Sequence, residues 1–233
     1  CDHDCRIDYR HAVACDRAMI VSFQHRYIFA HAPKTGGTSL ARALESKVGK
    51  DDILLGDTPK ALKRRKRQKG LTASGKLWKH AGLRDIYGLV SQAEIDSFFI
   101  FTIVRNPWDR VVSYYFWLRA QKFDHATVTL AKSLPFSEFL RDPETKASFR
   151  AAPYSSYVTD VTGNMRCDLF LRQENLASDI SALEQNLNLK LPALGHENRS
   201  TRDADWRGYY SQADQDIVAE ICAADIAQFS YQF

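Results

Sequence analysis

A chain of 233 residues and 26.6 kDa, 45% hydrophobic and 26% charged, has apolar material for one large α/β core and is not disordered throughout. The net charge is +4, but residues 60–69, KALKRRKRQK, hold seven basic side chains and no acid, so the remainder is net −3 (+4 less 7). A local basic patch on a mildly acidic body excludes a generally basic nucleic-acid binder.

No apolar run approaches the ~20 residues of a membrane-spanning helix. The longest, FFIFTIV at 98–104, has the length of a buried strand. No apolar leader is visible near the N-terminus, and five cysteines, an odd number, argue against a disulfide scaffold and for a reducing compartment. Cys1, Cys5, His11 and Cys15 can be written as a zinc pattern, but the paired C-x2-C spacing is missing. Residues 1–18 are therefore expected to form an N-terminal extension, and 19–233 a single domain.

In chain order, YIFAHA (27–32) reads as a strand and GTSLARALESKVG as the helix after it, stopped by Gly49. Residues 50–79 read as irregular and basic. Two short helical pieces follow in 82–97, with Ser91 three residues before Glu94 as a capping box. FFIFTIV is apolar on both faces, as a parallel strand between helix layers is. It runs into PWDRVVSYYFWLRAQ, a helix with Asn106 as N-cap and Pro107 at its first position. Short helices and turns occupy 133–165. CDLFLRQENL (167–176) is a further strand leading to a helix capped near Ser178, and SQADQDIVAEICAADIAQFSY reads as one closing helix. Alternating strands and helices predict an α/β fold of three layers, with a central, mainly parallel sheet flanked by helices.

Between strand and helix at 33–39 lies Pro-Lys-Thr-Gly-Gly-Thr-Ser. A glycine turn at a helix N-terminus offers unpaired N–H groups and a favourable dipole to an anion. Gly36 and Gly37 allow close approach, Thr35, Thr38 and Ser39 add hydroxyls, and Lys34 adds a point charge. This is not a Walker A loop, in which lysine follows the last glycine. Nor does FFIFTIV lead into a magnesium-holding acid: Arg105 follows it.

PKTGGTSL (33–40) and VRNPWDRVVSYY (104–115) together resemble the sulfotransferases that use 3′-phosphoadenosine 5′-phosphosulfate (PAPS), above all the carbohydrate-sulfotransferase branch and its bacterial relatives. LRQENL and ADIAQFSYQF are similar to later blocks of that family. The resemblance implies a P-loop-like fold. It implies that Lys34, Thr35, Gly36, Gly37, Thr38 and Ser39 bind the 5′ side of the donor, and that Arg105 and Ser113 bind its 3′-phosphate. Asn106, Arg110 and Ser113 share one stripe of their helix, which suits that second site; the alternative is an ordinary capped helix with Asp109 and Arg110 in solvent. PAP would be the product, no metal would be required, and Lys34 would neutralise the leaving phosphate.

The resemblance further implies a base, a histidine or glutamate. KHAGLRDI (79–86) is similar to the segment that supplies a histidine in some carbohydrate sulfotransferases, pointing to His80. His31, three residues before Lys34, is the rival, or a side chain packed beneath the loop; a carboxylate is the third choice. HENRSTR (196–202) is similar to a late family segment over the nucleotide, so Asn198, Ser200 and Arg202 either reach phosphates or lie in a plain surface loop. Glu174 is left outside the site. The run at 60–69 reads as a solvated basic loop or as a surface for an anionic acceptor such as an acidic glycan, and nucleic-acid binding lacks the interleaved aromatics it needs. The expected activity is thus sulfuryl transfer to a hydroxyl, that of a carbohydrate acceptor, in the cytoplasm or, alternatively, the Golgi lumen. The competing readings are a non-catalytic nucleotide- or polyanion-binding module and an ATP-dependent phosphotransferase.

Overall fold

A computed structural model describes residues 18–68, 70–195 and 202–233. They form two compact units, one of residues 18–104 with 154–195 and one of residues 105–153 with 202–233. The proposed N-terminal extension and its Cys1, Cys5, His11 and Cys15, together with Asn198 and Ser200, lie outside the described residues.

The first unit holds a five-stranded sheet: β1 (Ala18–Ser22), β2 (Tyr27–Phe29), β3 (Ile53–Gly56), β4 (Phe99–Val104) and β5 (Leu169–Arg172), in the order β3-β1-β2-β4-β5. β2 pairs β4 and β4 pairs β5 in parallel, with Phe29 opposite Phe101 and Phe101 opposite Leu169. β1 pairs both β2 and β3 antiparallel. The parallel part is the one read from the sequence; β1 and β3 are additions to it.

Strand alternation distributes the apolar side chains between two faces. On one, Ile20, Tyr27, Phe29, Phe101, Ile103 and Leu171 pack with Leu40, Ala41 and Leu44 of helix α1 (Gly37–Glu45) and Ala61 of helix α2 (Pro59–Gln68). On the other, Met19, Val21, Ile28 and Ile100 pack with Leu83, Ile86, Val90 and Ile95, the last from helix α3 (Gln92–Ser97). The expected three layers are present. α3 carries the expected capping box, with Ser91 accepting from the Glu94 amide and Glu94 from the Ser91 amide at 2.7 Å.

Residues 50–79 are not irregular, contrary to the sequence reading: they contain β3 and α2. The basic run is this helix, whose inner face is polar. Arg64 donates to the carbonyls of Asp52 and Gly49, each at 2.8 Å, and Gln68 donates to that of Leu54 at 2.7 Å. The buried Asp52 carboxylate ties the same region to the β1–β2 turn. It accepts from the Ser22 hydroxyl at 2.7 Å, the Phe23 and Gln24 amides at 2.8 and 3.2 Å, and the Gly49 amide at 2.8 Å.

The second unit is helical: α4 (Pro107–Arg119), α5 (Ala126–Ser133), α6 (Phe136–Arg141) and α7 (Pro143–Arg150). In the first unit α8 (Leu176–Leu187) follows β5, adding Leu183 and Leu187 to the α1 face. The closing helix of the second unit is two, α9 (Gln212–Ile221) and α10 (Ala223–Phe229), with the break at Cys222. Trp108, Trp206 and Tyr210 surround the Phe233 ring with centroids 5.8, 5.1 and 5.5 Å away. The Asn106 side chain caps the Trp108 amide at 3.0 Å and donates to the Gln232 carbonyl at 2.8 Å. The C-terminus thereby fixes the start of α4.

Asp160, fully enclosed, closes the turn at 160–166 of the first unit. It accepts from the Thr162 hydroxyl at 2.6 Å, the Thr162 and Asn164 amides at 2.9 and 3.0 Å, and Arg166 Nε at 2.9 Å. The Thr162 hydroxyl foremost, then Arg166, holds its carboxyl well below the usual carboxylate range. A depressed folded-state pKa contributes stability above the unfolded value, near ~4, that is lost as pH falls toward the folded one. Denaturant unfolding of wild type and Asp160→Asn should show a constant gap above about pH 5, shrinking below about pH 4; a gap independent of pH would remove the carboxylate's charge from the stabilisation.

Candidate active site

At the end of β2 the chain must stop extending and enter α1 within a few residues. It does so through two left-handed positions, Lys34 at φ 65° and Gly36 at φ 75°. A lysine there is strained where a glycine is not. The Thr35 hydroxyl donates to the Ala32 carbonyl at 2.9 Å and holds the turn. Its proton is committed to the backbone, so the hydroxyl donor expected for a phosphate is used instead to shape the loop. Gly36 is the N-cap of α1 and is exposed, no side chain caps the helix, and no acidic residue stands in its first turn. First-turn amides without a side-chain cap, at the positive end of the helix dipole, suit an anion. Lys34 and Ser39 are half-buried beside them, and Thr38 is buried.

The approach of Gly37 to its surroundings explains the second glycine. A Cβ there would lie 2.7 Å from Nε2 of His31, whose ring stacks on Phe29 at 5.5 Å. His31 therefore lies beneath the loop, the packing role weighed for it from the sequence. His80 is its neighbour, with ring centroids 5.1 Å apart. Nδ1 of His80 lies 2.7 Å from the His31 carbonyl oxygen. A carbonyl only accepts, so Nδ1 carries the proton and Nε2 of the neutral ring holds the lone pair. Both rings are buried, and Trp78 packs edge-on against His80 at 5.2 Å. The ion pair of buried Lys79 with half-buried Asp57 at 2.9 Å anchors the adjoining residue.

In the second unit Arg105 does not stand with a solvated Asp109. Asp109 is buried and shared: Oδ2 accepts from Arg105 Nε and Nη2 at 2.8 and 2.7 Å, and Oδ1 accepts from Arg202 Nη2 at 2.6 Å. Two guanidinium groups converge on this one carboxylate, an arrangement that suits a further anion. Arg202, from the loop read as either phosphate-reaching or plain surface, is thus tied to Arg105 through Asp109. Ser113 is buried on the same helix. Arg110 is buried and not in solvent. It donates to the Ala152 carbonyl at 3.2 and 3.3 Å and lies 3.6 Å from the Asp225 carboxylate. The sequence reading missed Asp109; its spacing of four from Arg105 was the available signal.

Burial pushes the Cys167 and Cys222 thiols up to about 12, so neither is a nucleophile at neutral pH. Among the described residues no helix is long and apolar enough to cross a membrane.

A family model described as the sulfotransferase family matches residues 17–231. No curated protein matches the chain. Among solved structures, mouse sulfotransferase SULT7A1 complexed with PAP is 13% identical, with a TM-score of 0.45, over 88% of this chain and 84% of that one.

The Gly37–His31 contact yields a test by rescue. Gly37→Ala should destabilise the protein by about 1–3 kcal/mol through overpacking. His31→Ala in the same chain should recover part of that loss, because the colliding ring is gone. Thermal melts of the two single variants and the double variant measure this, and strictly additive losses would contradict the contact.

Proposed function

Because the chain belongs to the sulfotransferase family, we propose that it transfers the sulfuryl group of PAPS to an acceptor hydroxyl and releases PAP. The observation that carries this reading is the left-handed Lys34–Gly36 turn at the uncapped N-terminus of α1. Each unit by itself offers donors for one anionic end of PAPS: in the first, a loop of backbone amides with one lysine suits the 5′ phosphosulfate; in the second, the Arg105–Asp109–Arg202 group with Ser113 suits the 3′-phosphate. The family match spans both units, which supports residues 19–233 acting as one catalytic domain.

Bound PAPS supplies an activated sulfuryl group attached to a phosphate leaving group. Lys34 neutralises charge on that phosphate as it departs, and the amides of Gly36, Gly37, Thr38 and Ser39 orient it. This cationic neutralisation is assigned to side chains, with no metal in the proposed step. His80 accepts the acceptor's proton at Nε2, the nitrogen left basic by the bond from Nδ1 to the His31 carbonyl.

The acceptor in this reading is a carbohydrate hydroxyl, on an anionic glycan. Its support is the outer face of α2, where Lys63 and Lys66 are exposed while Arg64 and Gln68 are turned inward to backbone carbonyls. The charge of that face is screened by salt, so acceptor KM should rise with ionic strength.

Transfer of radiolabelled sulfate from PAPS to a panel of glycans, phenols and lipids tests the reading. Lys34→Ala should abolish labelling, and near-normal turnover would remove Lys34 from the mechanism. His80→Ala should lower kcat by ~10²–10⁴ while PAP still binds. An unchanged rate would transfer the role to a carboxylate.

A further inference from the structure

β5 lies beside β4, which lies beside β2, so the residue after β5 comes up alongside the loop that follows β2. That residue is Gln173. A Cβ built on Gly36 would meet Gln173 Cγ at 3.2 Å, Nε2 at 3.8 Å and Cδ at 4.0 Å. The side chain thus lies across the exposed, left-handed glycine of the anion loop. Gln173 is half-buried, and its side-chain amide bonds to none of the described residues. A partly dehydrated amide with two uncommitted N–H donors is costly unless something accepts from it. The neighbouring glycine, Gly36, is the N-cap of α1, where no side chain caps the helix.

The geometry points to Gln173 as a donor-contacting residue, whose Nε2 amide donates to an oxygen on the 5′ side of the bound nucleotide. This rests on the sulfotransferase reading of the loop. A neutral amide adds a directed hydrogen bond without adding charge. It therefore reads the position of an oxygen, whereas Lys34 responds to net charge. The alternative is that Gln173 only covers Gly36 with its methylenes.

Gln173→Met separates the two, because it keeps the length and packing over Gly36 and removes the amide. Calorimetric titration of wild type and variant with PAP, AMP and adenosine 3′-phosphate is the measurement. The 5′-phosphate ligands, PAP and AMP, should bind about tenfold more weakly to the variant. Adenosine 3′-phosphate and the melting temperature should be unchanged, which loss of packing would not produce. Gln173→Glu should weaken PAP further, by setting a carboxylate against the anion. A methionine variant that binds PAP as tightly as wild type overturns this contact alone, as does one that loses affinity equally for adenosine 3′-phosphate. Wild-type protein that binds no PAP overturns the contact together with the sulfotransferase reading beneath it.

Discussion

The meeting of the Gly37 backbone with the His31 ring determines where α1 begins, and the candidate site follows from that. His31 stacks on Phe29 of the sheet face, so its ring is held by the core and not by the loop. The helix above it can start there only without a side chain at its first residue. The turn before it is then short enough to need left-handed backbone at Lys34 and Gly36, which aims the first-turn amides outward. The His31 carbonyl meanwhile sets the tautomer of His80. One packed ring thus couples the sheet, the proposed anion loop and the proposed base.

The proposed second anion site rests on a different principle. Burying Arg105 alone would be expensive, and pairing it one-to-one with Asp109 would leave nothing for a ligand. Sharing Asp109 between Arg105 and Arg202 keeps each guanidinium partnered and gathers two cations at one carboxylate. The start of α4 is held in place by the Asn106 bond to the Gln232 carbonyl and by the aromatic nest around Phe233. The final residues are therefore part of what positions the Arg105–Asp109–Arg202 cluster.

Features with local signals were legible in the sequence. The Ser91–Glu94 capping box, the Asn106–Pro107 helix start, the doubly apolar β4 and the glycine turn each declare themselves within a few residues. α2 did not, because its inward face is made of Arg64 and Gln68 bonding to carbonyls, with Ala61 its one buried residue, so no apolar stripe marks it. β3 is four residues long, too short for periodicity to register. The break at Cys222 carries neither glycine nor proline to announce it. Asp109 was visible as a neighbour of Arg105, but its partnership with Arg202 spans 93 residues and exists only in the folded chain.

The central claim is that the chain has a dedicated site for a nucleotide 3′-phosphate in addition to its 5′ anion loop. Calorimetric titration of wild type and Arg105→Ala with PAP and with AMP tests it most directly. Wild type should bind PAP at least ~10-fold more tightly than AMP, and Arg105→Ala should erase that preference while leaving AMP affinity in place. Equal affinity of wild type for PAP and AMP, or Mg-ATP binding where PAP does not, would contradict it.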